Sequence, residues 1–205
     1  MINNSSANNK ANYMSKDLSK EKNKLRLLWK ERRREISLNS HDGYEKSFII
    51  NFKKAVGTFR DKIIAGYNPI NHEANCLNLL NFASKEGSKI ALPYTNENKI
   101  LEFREWHFDD PLKKDKLGIL SPSSKKIVIP DVIIIPLLSF DLSGTRLGMG
   151  LGIYDRSLPF YELSDKYGLA FSDQKTKKLI REEHDFLIDG VITEKNFLSF
   201  GRKKN

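Results

Sequence analysis

The sequence predicts an α/β domain: a three-layer α/β/α sandwich around a mainly parallel sheet, with helices on both faces. Three observations carry that expectation. Apolar residues switch repeatedly between helical spacing and short β-branched runs, the signature of strands alternating with helices. The run DVIIIPLL at 131–138 is almost continuously apolar, as a strand covered by helices on both faces should be. At 205 residues the chain has the length of about one domain with a sizeable core.

Residues 1–15 are rich in Asn and Ser, bury too little apolar surface to offset ordering entropy, and are expected to form a disordered tail. A single domain is expected over 16–200. Within 16–36, Leu18, Leu25, Leu28, Trp29 and Ile36 recur at helical spacing, and Lys22 and Arg26, four apart, share one face. A second helix over 44–59 puts Phe48, Ile49, Phe52 and Val56 on its apolar side. The β-branched segment 62–67 reads as a strand running out into Asn68-Pro69. Residues 74–85 carry Leu77, Leu80 and Phe82 at helical spacing and stop before Gly87. Strands follow at 89–94 and 100–106, and the charged, turn-rich stretch 108–124 is a loop or small excursion. After the strand in 131–138 come a glycine-rich stretch, a helix over 155–164 and a strand over 167–171. A short polar helix over 174–183 and strands at 190–193 and 196–200 complete a Rossmann-like order.

Composition narrows the function class. The net charge of +9 invites a nucleic-acid reading. The basic residues are nevertheless spread along the chain, with small clusters at Arg32–Arg34 and Arg202–Lys204, and no nucleic-acid motif accompanies them, so no nucleic-acid partner is expected. No apolar run approaches the roughly 18 residues of a membrane span, and the N-terminus lacks the continuous apolar region of a secretory signal. Cys76 is the only cysteine, which rules out a disulfide within the chain and fits the cytoplasm.

The stretch SGTRLGMGLGIYDR at 143–156 holds Gly148, Gly150 and Gly152 at alternate positions between Arg146 and Arg156. It matches neither the Walker pattern nor the dinucleotide fingerprint. Glycines let backbone N–H groups converge on anion oxygens, a following helix adds its N-terminal dipole, and guanidinium forks bind phosphate strongly, so phosphate is the favoured ligand. The competing reading is a simple chain reversal, with Asp155 as helix N-cap. Pro159 is compatible with the following helix only near its first turn. Because ligands of such sheets bind beyond the carboxyl ends of the strands, this stretch after the most hydrophobic strand is where a site is expected.

The loop Arg146-Leu147-Gly148-Met149-Gly150-Leu151-Gly152-Ile153-Tyr154-Asp155-Arg156 resembles the signature of the 5-formyltetrahydrofolate cyclo-ligase family, also called methenyltetrahydrofolate synthetases. Companion segments follow the family's order: Lys22-x-x-Leu25-Arg26, Tyr67 through Pro69 to Glu73, Leu92-Pro93, Gly118-Ile119 with Pro122, His184-Asp185 with Asp189, and Thr193-Glu194. The likeness runs from about Lys22 to Glu194.

The resemblance implies conversion of 5-formyltetrahydrofolate, with or without a polyglutamate tail, to 5,10-methenyltetrahydrofolate, using ATP as co-substrate and Mg2+ as cofactor. In that mechanism the formyl oxygen attacks the γ-phosphate, N10 closes the ring, and phosphate leaves. ATP contacts would come from Lys22, Asn23, Lys24, Leu25 and Arg26 and from Arg146 through Tyr154, with Arg146 and Lys22 acting on the phosphates in catalysis. The folate would meet Tyr67, Asn68, Glu73 and the loop from Met149 through Gly150, Leu151 and Gly152 to Ile153. Asp155 and Asp189 would hold Mg2+, a hard cation that prefers oxygen ligands. A monomer is expected, with no membrane contact.

Plainer readings stand beside these. Lys22 and Arg26 suit a solvated helix face, Glu73 a helix N-terminus, Asp189 a turn cap, and His184-Asp185 a structural turn. Leu117, Leu151 and Ile153 depart from residues common in the family, which motivates an alternative function: a non-catalytic nucleotide- or folate-binding regulator on the same scaffold.

Overall fold

The computed structural model describes residues 4–40 and 44–201, with side chains described from Leu18 onward. Residues 4–15 of the expected tail belong to the first part of α1, while residues 1–3 and the basic cluster Arg202–Lys204 lie outside the described residues. In chain order the elements are α1 (Asn4–Leu38), α2 (Tyr44–Val56), β1 (Ile63–Ala65), α3 (Cys76–Lys85), β2 (Lys89–Thr95), β3 (Leu101–Glu105), β4 (Leu112–Lys114), β5 (Leu120–Pro122), β6 (Val132–Pro136), β7 (Ser139–Phe140), β8 (Arg146–Leu147), α4 (Ile153–Ser157), β9 (Asp165–Leu169), β10 (Gly190–Ile192) and β11 (Phe197–Ser199).

Seven strands form one sheet in the order β11-β10-β9-β6-β1-β2-β3. The inner pairs β1–β2, β1–β6, β6–β9 and β9–β10 are parallel, while β3 and β11 close the two edges antiparallel. This is the mainly parallel α/β sheet expected. The chain leaves β1 for β2 on one side and later returns to β6 on the other. A crevice therefore opens beyond the carboxyl ends of β1 and β6, at the point where strand order reverses.

The pleat divides the core in two. Successive strand residues point to opposite faces, so Ile64, Val132, Ile134 and Leu169 pack with Phe48 and Phe52 of α2 and Leu79 and Leu80 of α3. Ala65, Ile133, Ile135 and Val191 pack on the other face with Leu158, Tyr154 and Tyr161. A smaller cluster joins Trp29 and Leu25 of α1 to Leu138, Leu147 and Leu179, docking the first helix beside the carboxyl end of β6. α3 is started by Asn75, whose Oδ1 accepts from Leu77 N at 3.1 Å. Among the described residues, no helix is long and apolar enough to cross a membrane.

Several elements differ from expectation, each for a backbone reason. The helix expected over 155–164 starts earlier, at Ile153, and ends as α4 at Ser157; a 3-10 turn, Leu158–Tyr161, follows. Pro159 lies beyond the first turn of that helix, where its missing N–H and its ring interrupt α-helical bonding. Gly152 rather than Asp155 is the N-cap, with no side-chain capping bond. The polar helix expected over 174–183 reduces to a 3-10 turn at Ser172–Gln174. Its remaining N–H groups go elsewhere: Thr176 N donates to Phe140 O at 2.9 Å and Leu179 N to Asp141 Oδ2 at 2.8 Å. The stretch 108–124 contains the hairpin β4–β5, with Asp115 Oδ1 receiving Leu117 N and Ile119 N at the turn. Leu28, one of the apolar residues at helical spacing in the first helix, is exposed.

Candidate active site

A cleft of about 1590 Å³ lies beyond the carboxyl ends of β1, β2 and β6. Its walls come mainly from α1, the segment after β1, the glycine loop between β8 and α4, and the segment 181–189, with Thr95 at the end of β2 and Leu117 in the β4–β5 turn also bordering it. Every loop residue named from the sequence, Arg146 through Arg156, borders it, as do Tyr67, Asn68, Glu73 and Asp189. Of the helical set, Lys22, Asn23 and Arg26 border it. Lys24 and Leu25 do not: Lys24 is exposed and Leu25 packs in the cluster around Trp29.

Lys22 is a buried cation, only 4% exposed. Its Nζ lies 2.6 Å from Glu182 Oε2 and 2.5 Å from Asp185 Oδ2, so the solvated-face reading does not describe it. An unpaired charge there would be prohibitively costly, and the two carboxylates supply the compensation. Asp185 Oδ2 also receives Glu182 N at 2.7 Å. Burial pushes the Asp185 carboxyl up, but the Glu182 N–H and the Lys22 ammonium together hold it below the usual carboxylate range. Arg26 reaches the loop: its Nε donates to Gly148 O at 3.2 Å and its Nη1 to Asn23 Oδ1 at 2.6 Å.

The glycines are not used equally. Gly150 and Gly152 have φ of 96° and 61°, in the left-handed region that favours glycine. A Cβ on Gly150 would meet Arg26 Nε at 3.1 Å, whereas one on Gly148 would meet nothing within 4 Å. The loop thus combines backbone turning with close approach of a cationic side chain.

Arg146 and Asp155, read separately from the sequence, form one unit. Arg146 Nη2 lies 2.7 Å from Asp155 Oδ1 and its Nη1 donates to Phe186 O. Asp155 Oδ1 also receives Phe186 N at 3.1 Å. The Arg146 side chain is only 4% exposed, so it is oriented in advance, while Arg156 is exposed. Tyr154 is half-buried, and desolvation pushes its phenol far up, so it stays protonated near neutrality.

At the other end, Tyr67 donates from its hydroxyl to Ala74 O at 2.8 Å. Glu73 Oε2 accepts from Ile70 N at 3.0 Å, and Oε1 lies 3.4 Å from Arg33 Nη1. Burial raises the Glu73 carboxyl above its ordinary value, against the opposing pull of the Ile70 N–H and the Arg33 charge. No helix begins at Glu73, since α3 starts at Cys76.

Asp189 directly precedes β10, and its Oδ2 receives Lys166 N at 2.8 Å. Both aspartates are oxygen donors on the same cleft, and Asp155 Oδ2 takes no hydrogen bond from the described residues, which fits a hard cation shared with phosphates and water. A tighter acidic group, Glu182, His184 and Asp185, has donor atoms within 4.8 Å of one another, but the Lys22 ammonium sits between its two carboxylates.

Arg33 and Glu182 were not read as site residues from the sequence, and Asp185 was named only with His184 as a companion segment or structural turn. Arg33 could have been found: it lies seven residues beyond Arg26 and eleven beyond Lys22, on the same helical face. Glu182 and Asp185 sit 160 and 163 residues from Lys22, so no local pattern announces that pairing.

Comparison with known proteins identifies the family and the fold. The model of the 5-formyltetrahydrofolate cyclo-ligase family matches residues 18–194. Relatives named 5-formyltetrahydrofolate cyclo-ligase include one from Escherichia coli K12, 34% identical over 118 residues, and one from Haemophilus influenzae, 33% identical over 107. Those matches cover 53% and 49% of this chain and span only 65% and 56% of the relatives' own lengths. The NMR structure of Aquifex aeolicus 5,10-methenyltetrahydrofolate synthetase superposes with a TM-score of 0.76 at 30% identity, covering 90% of this chain and 96% of its own. A 5,10-methenyltetrahydrofolate synthetase from Mycoplasma pneumoniae shares the fold, with a TM-score of 0.64 at 22% identity, covering 84% of this chain and 98% of that one.

Proposed function

The chain belongs to the 5-formyltetrahydrofolate cyclo-ligase family, and from that premise we propose that it converts 5-formyltetrahydrofolate to 5,10-methenyltetrahydrofolate with consumption of ATP. ADP and phosphate are the other products, and the protein acts as a cytoplasmic monomer. The observation that carries this reading is a single cleft whose two ends differ. One end presents Lys22, Arg26, Arg146 and loop backbone, suited to a triphosphate; the other presents Tyr67, Asn68 and Glu73, suited to a planar ring with N–H donors. At about 1590 Å³ the cleft exceeds the roughly 300–1,000 Å³ of a pocket for one drug-sized ligand, leaving room for two reactants.

The chemistry asks for alignment and charge neutralisation more than for proton transfer. The formyl oxygen forms a bond to the γ-phosphorus as the bridging P–O bond to ADP breaks. N10 then attacks the formyl carbon, loses its proton, and the C–O bond breaks with departure of phosphate. Arg146, fixed by Asp155 and by Phe186 O, offers a guanidinium that does not need reorganising when phosphate charge develops. Lys22 exchanges part of its carboxylate contact for phosphate oxygens. Arg26 and the N–H groups around Gly150 complete the cradle. Asp155 and Asp189 would hold Mg2+, which would supply charge neutralisation at the phosphates when bound. The Glu73 carboxylate accepts paired N–H donors from the pterin and fixes the ring so that N5 and N10 face the loop.

The direct test follows methenyl absorbance and ADP release on mixing purified protein with 5-formyltetrahydrofolate, ATP and Mg2+. Both should appear together. Binding of ATP without either product would reject the activity and favour a regulatory nucleotide-binding role.

A further inference from the structure

Among the described residues Arg33 is one of the largest wholly buried side chains, 1% exposed, although arginine is among the costliest residues to bury. Its bonds explain the location. Nη1 donates to Leu137 O at 3.2 Å, just past β6, and lies 3.4 Å from Glu73 Oε1; Nη2 donates to Asn71 O at 2.9 Å. The Nε has no hydrogen-bond partner. A core built for stability alone would place an apolar side chain here, because such replacement of a buried ion pair is often neutral or stabilising.

The segment that Arg33 grips is strained. Asn71 and His72 both carry positive φ, 48° and 63°, although neither is glycine. Such conformations persist where surroundings over-determine them, and they gather at binding sites. Here Arg33 clamps the segment from inside, and the Ile70–Glu73 contacts close it from both chain directions: Glu73 N donates to Ile70 O at 3.1 Å and Ile70 N to Glu73 Oε2 at 3.0 Å.

We propose that Arg33 is a positioning residue for the folate end of the cleft: it holds the 68–73 segment in its strained form and keeps Glu73 ionised and aimed at the pterin N–H edge. This rests on the reading that Glu73 contacts the pterin. Tyr67, Cys76 and Tyr154 also act on this region; burial raises each of them, Cys76 to about 12, so none carries charge near neutrality. The neighbouring His72 is exposed. Arg33 therefore supplies the compensating positive charge on Glu73, whose carboxyl burial already raises.

The test compares Arg33→Gln, Arg33→Lys and Glu73→Gln by steady-state kinetics from pH 6 to pH 8, with circular dichroism confirming the fold. Arg33→Gln should raise the KM for 5-formyltetrahydrofolate about tenfold or more, the scale of a lost charge-assisted bond, and leave the KM for ATP within about twofold. That defect should shrink as pH rises, because a Glu73 carboxyl freed from Arg33 ionises only at higher pH. Arg33→Lys, which keeps the charge without the fork, should flatten the pH profile while leaving the folate KM elevated; it also decides the matter if Arg33→Gln does not fold. Equal increases in both KM values, or a folate KM that stays at the parent value in the lysine variant, would overturn the proposal. An impaired Glu73→Gln beside an unimpaired Arg33→Gln removes Arg33 alone. A fully active Glu73→Gln removes the pterin contact itself, and the proposal with it.

Discussion

Lys22 shows how far a residue's role depends on partners distant in sequence. Its place in a basic helical motif was legible, but its near-total burial between Glu182 and Asp185 was not, because those carboxylates arrive on a segment 160 residues later. The pairing has a pH signature. The Asp185 carboxyl lies below its usual range in the fold, so its contribution is complete above its unfolded value near pH ~4 and fades as pH falls through the depressed one. Asp185→Asn should therefore cost about 1 kcal/mol near neutrality, a modest figure because Glu182 still serves Lys22. Urea unfolding of parent and variant should converge in strong acid; a gap that persists there would mean that Asp185 stabilises through something other than its charge.

Among the elements, the glycine loop was legible and the helices around it less so. Three alternate glycines between arginines pointed to a binding loop, and the structure places Gly148, Gly150 and Gly152 on the cleft wall. The segment 155–164 was misjudged because the helix start, at Ile153, is set by a left-handed Gly152 rather than by a side-chain cap, which pushes Pro159 past the first turn. The segment 174–183 was misjudged because Thr176 and Leu179 give their N–H groups to the β7–β8 region. The loop itself supports a paired prediction. Gly150→Ala, strained at φ 96° and pressed against Arg26, should lose about 1 kcal/mol or more of stability and weaken ATP binding. Gly148→Ala, with open space at its Cβ, should unfold at nearly the parent urea concentration. Equal destabilisation of the two by urea titration would show that loop geometry is not what distinguishes them.

At the scale of the molecule, the alternating sheet and its helices were readable because hydrophobic period is a local property that the whole fold obeys. Ile133 and Ile135 on one face and Val132 and Ile134 on the other show why the central run had to be apolar throughout. The cleft was less readable, since its walls come from stretches scattered along the chain, from α1 to the segment after β11, that only the strand-order reversal brings together. Because both reactants are assigned to that one cleft, each should stabilise the folded protein when bound. At about 100 times its dissociation constant, ATP with Mg2+ should add about 2.7 kcal/mol, raising the midpoint of a thermal scan by roughly 5–10 °C. An unmoved midpoint with both ligands would place binding outside this fold.

The face of α1 that carries Lys22, Arg26 and Arg33 sets a phase as well as a distance. The eleven steps from Lys22 to Arg33 span roughly 16 Å, and each residue added between them would rotate one end against the other by about 100°. This stretch can therefore absorb many changes of side chain but not a change in the number of residues. One insertion would aim Arg33 away from Glu73 while leaving every named residue in the sequence.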